Sequence, residues 1–215
     1  MVYPIAKWIV PPIMKLWIKK VEGLDNIPKG GFVICPNHSS FYDDLLLHIL
    51  LVPKTNKPVH MYVNKKYFKG FLLRKFLEWG TSIPVEVYDH PEKKKINEKA
   101  FKDALSYLDN GDIVGVYPEG HRTLDGELQK AKVGAVKLAL SARVPIVPVG
   151  ITGSREILPK GKKFPKIKKV VTVKIGKPIY FDGHYEKKDD KGILVKITKD
   201  VMQNIGKLIG KRYRY

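Results

Sequence analysis

The chain has 215 residues, 44% of them hydrophobic, one cysteine, and 40 Lys and Arg against 21 Asp and Glu, a net charge of +19. This length and apolar content suit one domain with a sizeable core, and a single cysteine excludes an internal disulfide. No run approaches the ~18 apolar residues that a bilayer span needs and no signal peptide is evident, while the charge calls for an anionic partner: lipid headgroups, an acidic or phosphorylated carrier, or nucleic acid.

Residues 1–20 mix Trp8, Trp17 and aliphatics with Lys7, Lys15, Lys19 and Lys20, the composition of a helical segment lying in a membrane interface. Pro11-Pro12 should kink it, and packing on the core is the plainer alternative. The first strand is expected at 31–36, after Gly30. Leu45 to Leu51 is apolar nearly all round, as in a helix buried in protein or touching an acyl chain. A strand at 58–64 and a basic, aromatic-rich helix at 68–79 follow, then a strand at 82–88. Residues 93–108 are helical, stopped by Asn110-Gly111. A strand at 112–117, a helix at 131–142 and a strand at 144–151 complete the pattern. After a lysine-rich loop at 153–170 comes a strand at 170–175. The last helix carries Leu194, Ile197, Val201, Ile205 and Leu208 at steps of three and four. Alternating strands and helices predict an α/β fold, a mixed and largely parallel sheet flanked by helices. The expected domains are the interfacial segment 1–20 and one unit over 21–215.

Two stretches carry chemistry. Asn37-His38-Ser39-Ser40-Phe41-Tyr42-Asp43 follows the strand at 31–36 and sets an imidazole five positions from a carboxylate. Strand ends in α/β folds are where ligands bind, and His with a carboxylate is the minimal apparatus for taking a proton from a hydroxyl. Asp44, next door, competes for the carboxylate role. His184 and Asp189 repeat the spacing, but in a polar stretch with no strand before it, which reads as a solvated loop. The second stretch, Tyr117-Pro118-Glu119-Gly120-His121-Arg122-Thr123, also follows an apolar strand. Arg122 offers a planar fork for a phosphate, and Gly120 lets backbone approach a ligand. Glu119 is expected to orient Arg122 or to bind hydroxyls. Lys65, Lys66 and Arg74 are candidates for phosphate contact or a solvated face. Cys35 reads as a small buried residue more readily than as a nucleophilic thiol. No His or Cys spacing suggests a metal site.

Taken together these stretches resemble the glycerolipid acyltransferases, specifically the 1-acyl-glycerol-3-phosphate acyltransferase family. The family's Asn-His, four residues, Asp is matched by Asn37-His38 to Asp43. Its aromatic-Pro-Glu-Gly-x-Arg-Ser/Thr is matched by Tyr117 to Thr123. The basic stretch before a Gly and an Ile is matched in outline from Lys65-Lys66 to Val85, and the Pro-punctuated strand by Val144 to Val149. Glu86 stands where the family often has Arg. Either Glu86 points away from the acceptor phosphate, or the acceptor is not a phosphate monoester.

The resemblance implies transfer of a fatty acyl group from a thioester to the free hydroxyl of 1-acyl-glycerol-3-phosphate. His38 is the general base and Asp43 its partner. Glu119, Gly120, Arg122, Thr123, Lys65 and Lys66 bind substrate. The donor is acyl-coenzyme A or an acyl-carrier protein, and no cofactor or metal is needed. The protein is expected on the cytoplasmic face of the cell membrane, against an anionic surface. Another acceptor, such as glycerol-3-phosphate or a different lysolipid, is the nearest rival. A basic nucleic-acid-binding domain lacks its usual spacings, and a non-catalytic membrane protein sits poorly with an intact His38 and Asp43.

Overall fold

Strand β2 (Phe32–Pro36) is buried at every position. Its alternating side chains serve two cores, Phe32 and Ile34 on one face, Val33 and Cys35 on the other. This is the inner strand of a seven-stranded sheet in the computed structural model, which describes residues 16–157 and 166–215. The other strands are β1 (Ile18–Glu22), β3 (Val59–Asn64), β4 (Ile83–Val85), β5 (Ile113–Gly115), β6 (Ile146–Thr152) and β7 (Val171–Ile175). Their order is β1-β7-β6-β2-β5-β3-β4, parallel throughout except where β6 meets β7.

Helix α1 (Tyr42–Thr55) covers one face of the sheet with Leu46, Leu47, Leu51 and Val52. The opposite face is covered by α3 (Lys93–Asp109), α4 (Gly134–Ala142) and α6 (Lys191–Ile209). The apolar steps read in the last helix bury Leu194, Ile197, Val201 and Ile205 as expected. Asp190 caps this helix by accepting the Ile193 N–H, and Gly210 ends it in the left-handed region. Two α-helices remain among the described residues: α2 (Phe71–Trp79), which has no buried residue, and the single turn α5 (Ser154–Ile157), inside the stretch expected as loop.

Three expectations need correcting or placing. The segment 1–20 was expected to be helical, yet Ile18 to Lys20 belong to β1, which pairs in parallel with β7. The Trp17 carbonyl accepts the N–H groups of Val170 and Val171, so the sheet edge claims these residues before a helix can. The strand expected to be first is therefore the second. The interfacial reading of residues 1–15 and the lysines at 160–163 lie outside the described residues. The helix expected from Phe68 begins at Phe71, because Lys65–Phe68 wind into a 3₁₀ turn capped by the Asn64 side chain.

Candidate active site

Parallel register builds this site. Ile34 of β2 lies opposite Gly115 of β5. Continuing each strand by the same number of residues sets His38 beside Glu119, at the carboxyl ends of adjacent parallel strands. The pairing is consummated by a hydrogen bond: the His38 backbone N–H donates to Glu119 Oε1 at 3.0 Å. On the other side, Asn37 locks β2 to β6, donating to the Ile151 carbonyl at 2.9 Å and accepting its N–H at 2.7 Å. Gly115 leaves room for the Met61 side chain of β3, whose Sδ would lie 2.0 Å from a Cβ at that position and would have to move aside.

The buried Asp43 carboxylate organises the turn into α1. Its Oδ2 accepts the N–H groups of Ser39 and Ser40, both at 2.8 Å, and faces His38 Nδ1 at 3.1 Å. A carboxylate on Nδ1 fixes that nitrogen as the N–H and leaves Nε2 as the basic one. Asp44 does something else. Its Oδ1 accepts the Tyr117 hydroxyl at 2.6 Å, and burial holds its carboxyl above the usual range. Tyr117 in turn stacks on the His38 ring, centroids 3.7 Å apart and planes 19° apart. The imidazole is thus held at Nδ1 and along one face. Tyr117 entered the sequence reading only as a motif aromatic, and no spacing could show that it packs on His38.

His38 opens onto a cavity of about 980 Å³. Apolar side chains from α1, β3, α2 and β4 form much of its wall, among them Leu45, Ile49, Met61, Phe76 and Val85. Arg122 stands on the same wall, its guanidinium 3.5 Å from the Phe41 ring centroid. Its Nη1 is buried without a hydrogen-bond partner among the described residues, and a buried guanidinium nitrogen left so is costly unless a ligand anion completes it. Gly120, at φ 73°, gives the turn that admits Lys132, whose Nζ would lie 3.2 Å from a Cβ at that position. Lys132 also lines the cavity and was missed by sequence reasoning, as it lies beyond the motif.

The remaining sequence candidates divide. Lys66 lines the cavity, its Nζ 3.3 Å from the Tyr88 hydroxyl. Lys65 is corrected: it turns to Glu92 at 3.6 Å and is not on the cavity wall. Glu119 turns inward rather than onto the cavity wall, and its oxygens accept the N–H groups of His38 and of Gln129, the latter at 2.7 Å. Burial pushes its carboxyl up to about 7 against those two bonds. Thr123 is buried away from the cavity, its N–H donating to the His38 carbonyl at 2.9 Å and its hydroxyl to Asp125. Glu119 and Thr123 therefore clamp His38 by its backbone, on opposite sides of the residue. Glu86 is on the cavity wall with its carboxylate folded back onto the Tyr88 N–H at 3.1 Å. Cys35 is buried in the core beneath the opposite face of the sheet, and burial pushes its thiol up, which rules out an acyl-carrying thiolate there. Asp189 pairs with Lys137 at 2.6 Å, so the second His-Asp spacing is a surface coincidence.

A doubly anchored imidazole at the strand ends, opening on a large apolar cavity with a guanidinium on its wall, is apparatus for activating a hydroxyl beside a lipid-like group. The family model described as Acyltransferase matches residues 19–152, and the chain belongs to that family. It is 28% identical over 196 residues to the 1-acyl-sn-glycerol-3-phosphate acyltransferase of Bacillus subtilis, covering 89% of this chain and 88% of that one. A chloroplastic enzyme of the same name from Arabidopsis thaliana is 29% identical over 179 residues, 82% of this chain and 48% of that one. The crystal structure of the 1-acyl-sn-glycerophosphate acyltransferase of Thermotoga maritima superposes with a TM-score of 0.69 over 94% of this chain and 76% of that one. At 23% identity that likeness speaks for the fold. The chain is an acyltransferase.

Proposed function

We propose that this enzyme transfers a fatty acyl group from a thioester to the free hydroxyl of 1-acyl-glycerol-3-phosphate, forming phosphatidic acid. The observation that carries the reading is the His38–Asp43 pair, with His38 on the wall of the apolar cavity and, on the same wall, an Arg122 whose buried Nη1 has no hydrogen-bond partner among the described residues. His38 Nε2 takes the proton from the acceptor hydroxyl as its oxygen attacks the thioester carbonyl. Asp43 stabilises the imidazolium. The tetrahedral intermediate collapses, the carbon–sulfur bond breaks, and the thiolate leaves with the proton from Nε2. The thioester brings its own activated carbonyl, so the step requires no cofactor.

Arg122, with Lys132 and Lys66, receives the acceptor phosphate, and the cavity takes an acyl chain. The phosphate assignment answers the Glu86 difficulty, since the wall carries three cations against two carboxylates, and both of these are already engaged, Glu86 with the Tyr88 N–H and Asp44 with the Tyr117 hydroxyl. The relatives named for the same acceptor support this reading. The donor is acyl-coenzyme A or an acyl-carrier protein, and the enzyme works peripherally on the cytoplasmic face of the membrane.

The test is incubation with labelled acyl-coenzyme A, or acyl-carrier protein, and a panel of lysolipids and glycerol-3-phosphate, with products read by mass spectrometry. Phosphatidic acid from 1-acyl-glycerol-3-phosphate is the expected product. Preferential acylation of glycerol-3-phosphate, or of a lysolipid without a phosphate monoester, would reassign the acceptor.

A further inference from the structure

Helix α2 reads Phe71-Leu72-Leu73-Arg74-Lys75-Phe76-Leu77-Glu78-Trp79, mostly apolar, yet none of its residues is buried. Leu72 is 82% exposed, Phe76 57% and Trp79 55%. At 3.6 residues per turn, Leu72, Leu73, Phe76, Leu77 and Trp79 share one broad face. Arg74, Lys75 and Glu78 share the opposite one. A helix of a water-soluble domain turns such an apolar face to the core. Here Leu73, Phe76, Leu77 and Trp79 line the cavity while Leu72 does not. The apolar face therefore runs without a break from the cavity interior to the outer surface.

The surroundings are cationic. Lys69 precedes the helix. Arg74 and Lys75 lie on its polar side, where Glu78 pairs with both at 2.6 and 3.7 Å and offsets one of them. Exposed aromatic and leucine side chains backed by cations are the composition of a helix that lies in the headgroup–acyl boundary. An apolar patch of this kind marks an interaction site. Continuity with the cavity selects the lipid surface over a second protein copy: a bilayer pressed on α2 would give an acyl chain a path into the cavity without crossing water.

We infer that α2 is a membrane-docking helix. It seats on an anionic bilayer with Leu72, Phe76 and Trp79 among the acyl chains and Lys69, Arg74 and Lys75 at the headgroups. This gives α2 an interfacial role separate from the one expected of residues 1–20. Its purpose rests on the lysolipid reading, but its measurement does not depend on turnover.

The experiment uses the full chain with Trp8→Phe and Trp17→Phe, leaving Trp79 as the fluorophore. Vesicles of equal parts phosphatidylglycerol and phosphatidylcholine, with and without brominated acyl chains, are titrated in. The expected result is a blue shift of Trp79 emission and quenching by the brominated chains. Leu72→Glu with Lys75→Glu, both exposed and off the cavity wall, should weaken vesicle binding roughly tenfold or more. Acylation of a soluble short-chain acceptor by that variant should stay near that of the parent. Vesicle binding with unchanged Trp79 emission would overturn the inference and leave docking to another segment. So would concentration-dependent self-association that the two substitutions abolish while vesicle binding is kept, since the occupant would then be a second copy. Loss of soluble-acceptor acylation by the parent chain would count against the proposed reaction alone.

Discussion

Glu119 holds His38 by the backbone: the amide N–H of one donates to the carboxylate of the other at 3.0 Å, across 81 positions of sequence. A buried carboxylate at the end of one strand places the backbone of a residue at the end of the next. The consequence can be measured. Burial raises the Glu119 carboxyl from 4.5 to about 7, so the folded protein holds a proton there that the unfolded chain has released. The stability linked to that proton is fully present below about pH 4.5 and is lost as pH rises through about 7. Its size is on the order of 3 kcal/mol, from the usual conversion of a pKa shift. Glu119→Gln should flatten that part of the stability–pH profile, as read by denaturant titrations from pH 4 to 8. It should also lower turnover with little change in either Michaelis constant, because an amide can accept only one of the two N–H groups.

His38→Ala should cut turnover by roughly 100- to 10,000-fold, the usual worth of a positioned base. Asp43→Asn should lose most activity too, since the amide cannot stabilise the imidazolium and two backbone N–H groups lose their carboxylate. Asp44→Asn and His184→Ala are the controls, expected to keep activity. Near-normal turnover in the His38 variant would sink the mechanism.

Arg122→Lys keeps a charge but gives up the planar fork. The Michaelis constant for the phosphate acceptor should rise roughly tenfold, the worth of one charge-assisted hydrogen bond, while that for the thioester stays close to the parent value. A rise confined to the thioester would move Arg122 to the donor side.

Tyr117→Phe keeps the ring against His38 and removes the donor to Asp44. Desolvation already raises the Asp44 carboxyl and the Tyr117 hydroxyl counteracts it, so the variant should push that carboxyl further up. We expect a stability loss of about 1 kcal/mol for the hydrogen bond lost by the half-buried Asp44 and a modest fall in turnover. Tyr117→Leu, which removes the stack, should fall further in turnover at similar stability. Equal turnover in the two variants would show that the stack does not position the imidazole.

Gly115→Ala tests the packing under the site. The added methyl meets the buried Met61 sulfur, and overpacking of this kind costs about 1–3 kcal/mol. The thermal midpoint should fall, with catalysis following only as far as β5 shifts.

Much of the inner sheet was legible in the sequence because it is written in apolar runs ended by glycine or proline, as at 31–36 and 144–151. His38 and Asp43 were legible because they lie five positions apart and their contact is local. What escaped depends on partners distant in the chain. Ile18-Lys19-Lys20 continues the mix of lysine and aliphatics before it and reads as the end of an interfacial helix until β7 is there to pair with it. Lys65 and Lys66 are adjacent and chemically alike, and only the 3₁₀ turn sends one to Glu92 and the other to the cavity. The inward turn of Glu119 follows from the β2–β5 register, which no local pattern records.

That register also sets a timetable. While the chain is being made, His38 and Asp43 emerge well before residue 119 exists, and the Ile151 partner of Asn37 comes later still. Contacts so far apart form late and slowly, because a long loop must close before pairing rewards it. A nascent chain of about a hundred residues therefore carries the base and its carboxylate without the clamp that places them. Competence for catalysis needs β5 and β6 docked on the two sides of β2, making the onset of activity a reporter of the pairing at the centre of the sheet.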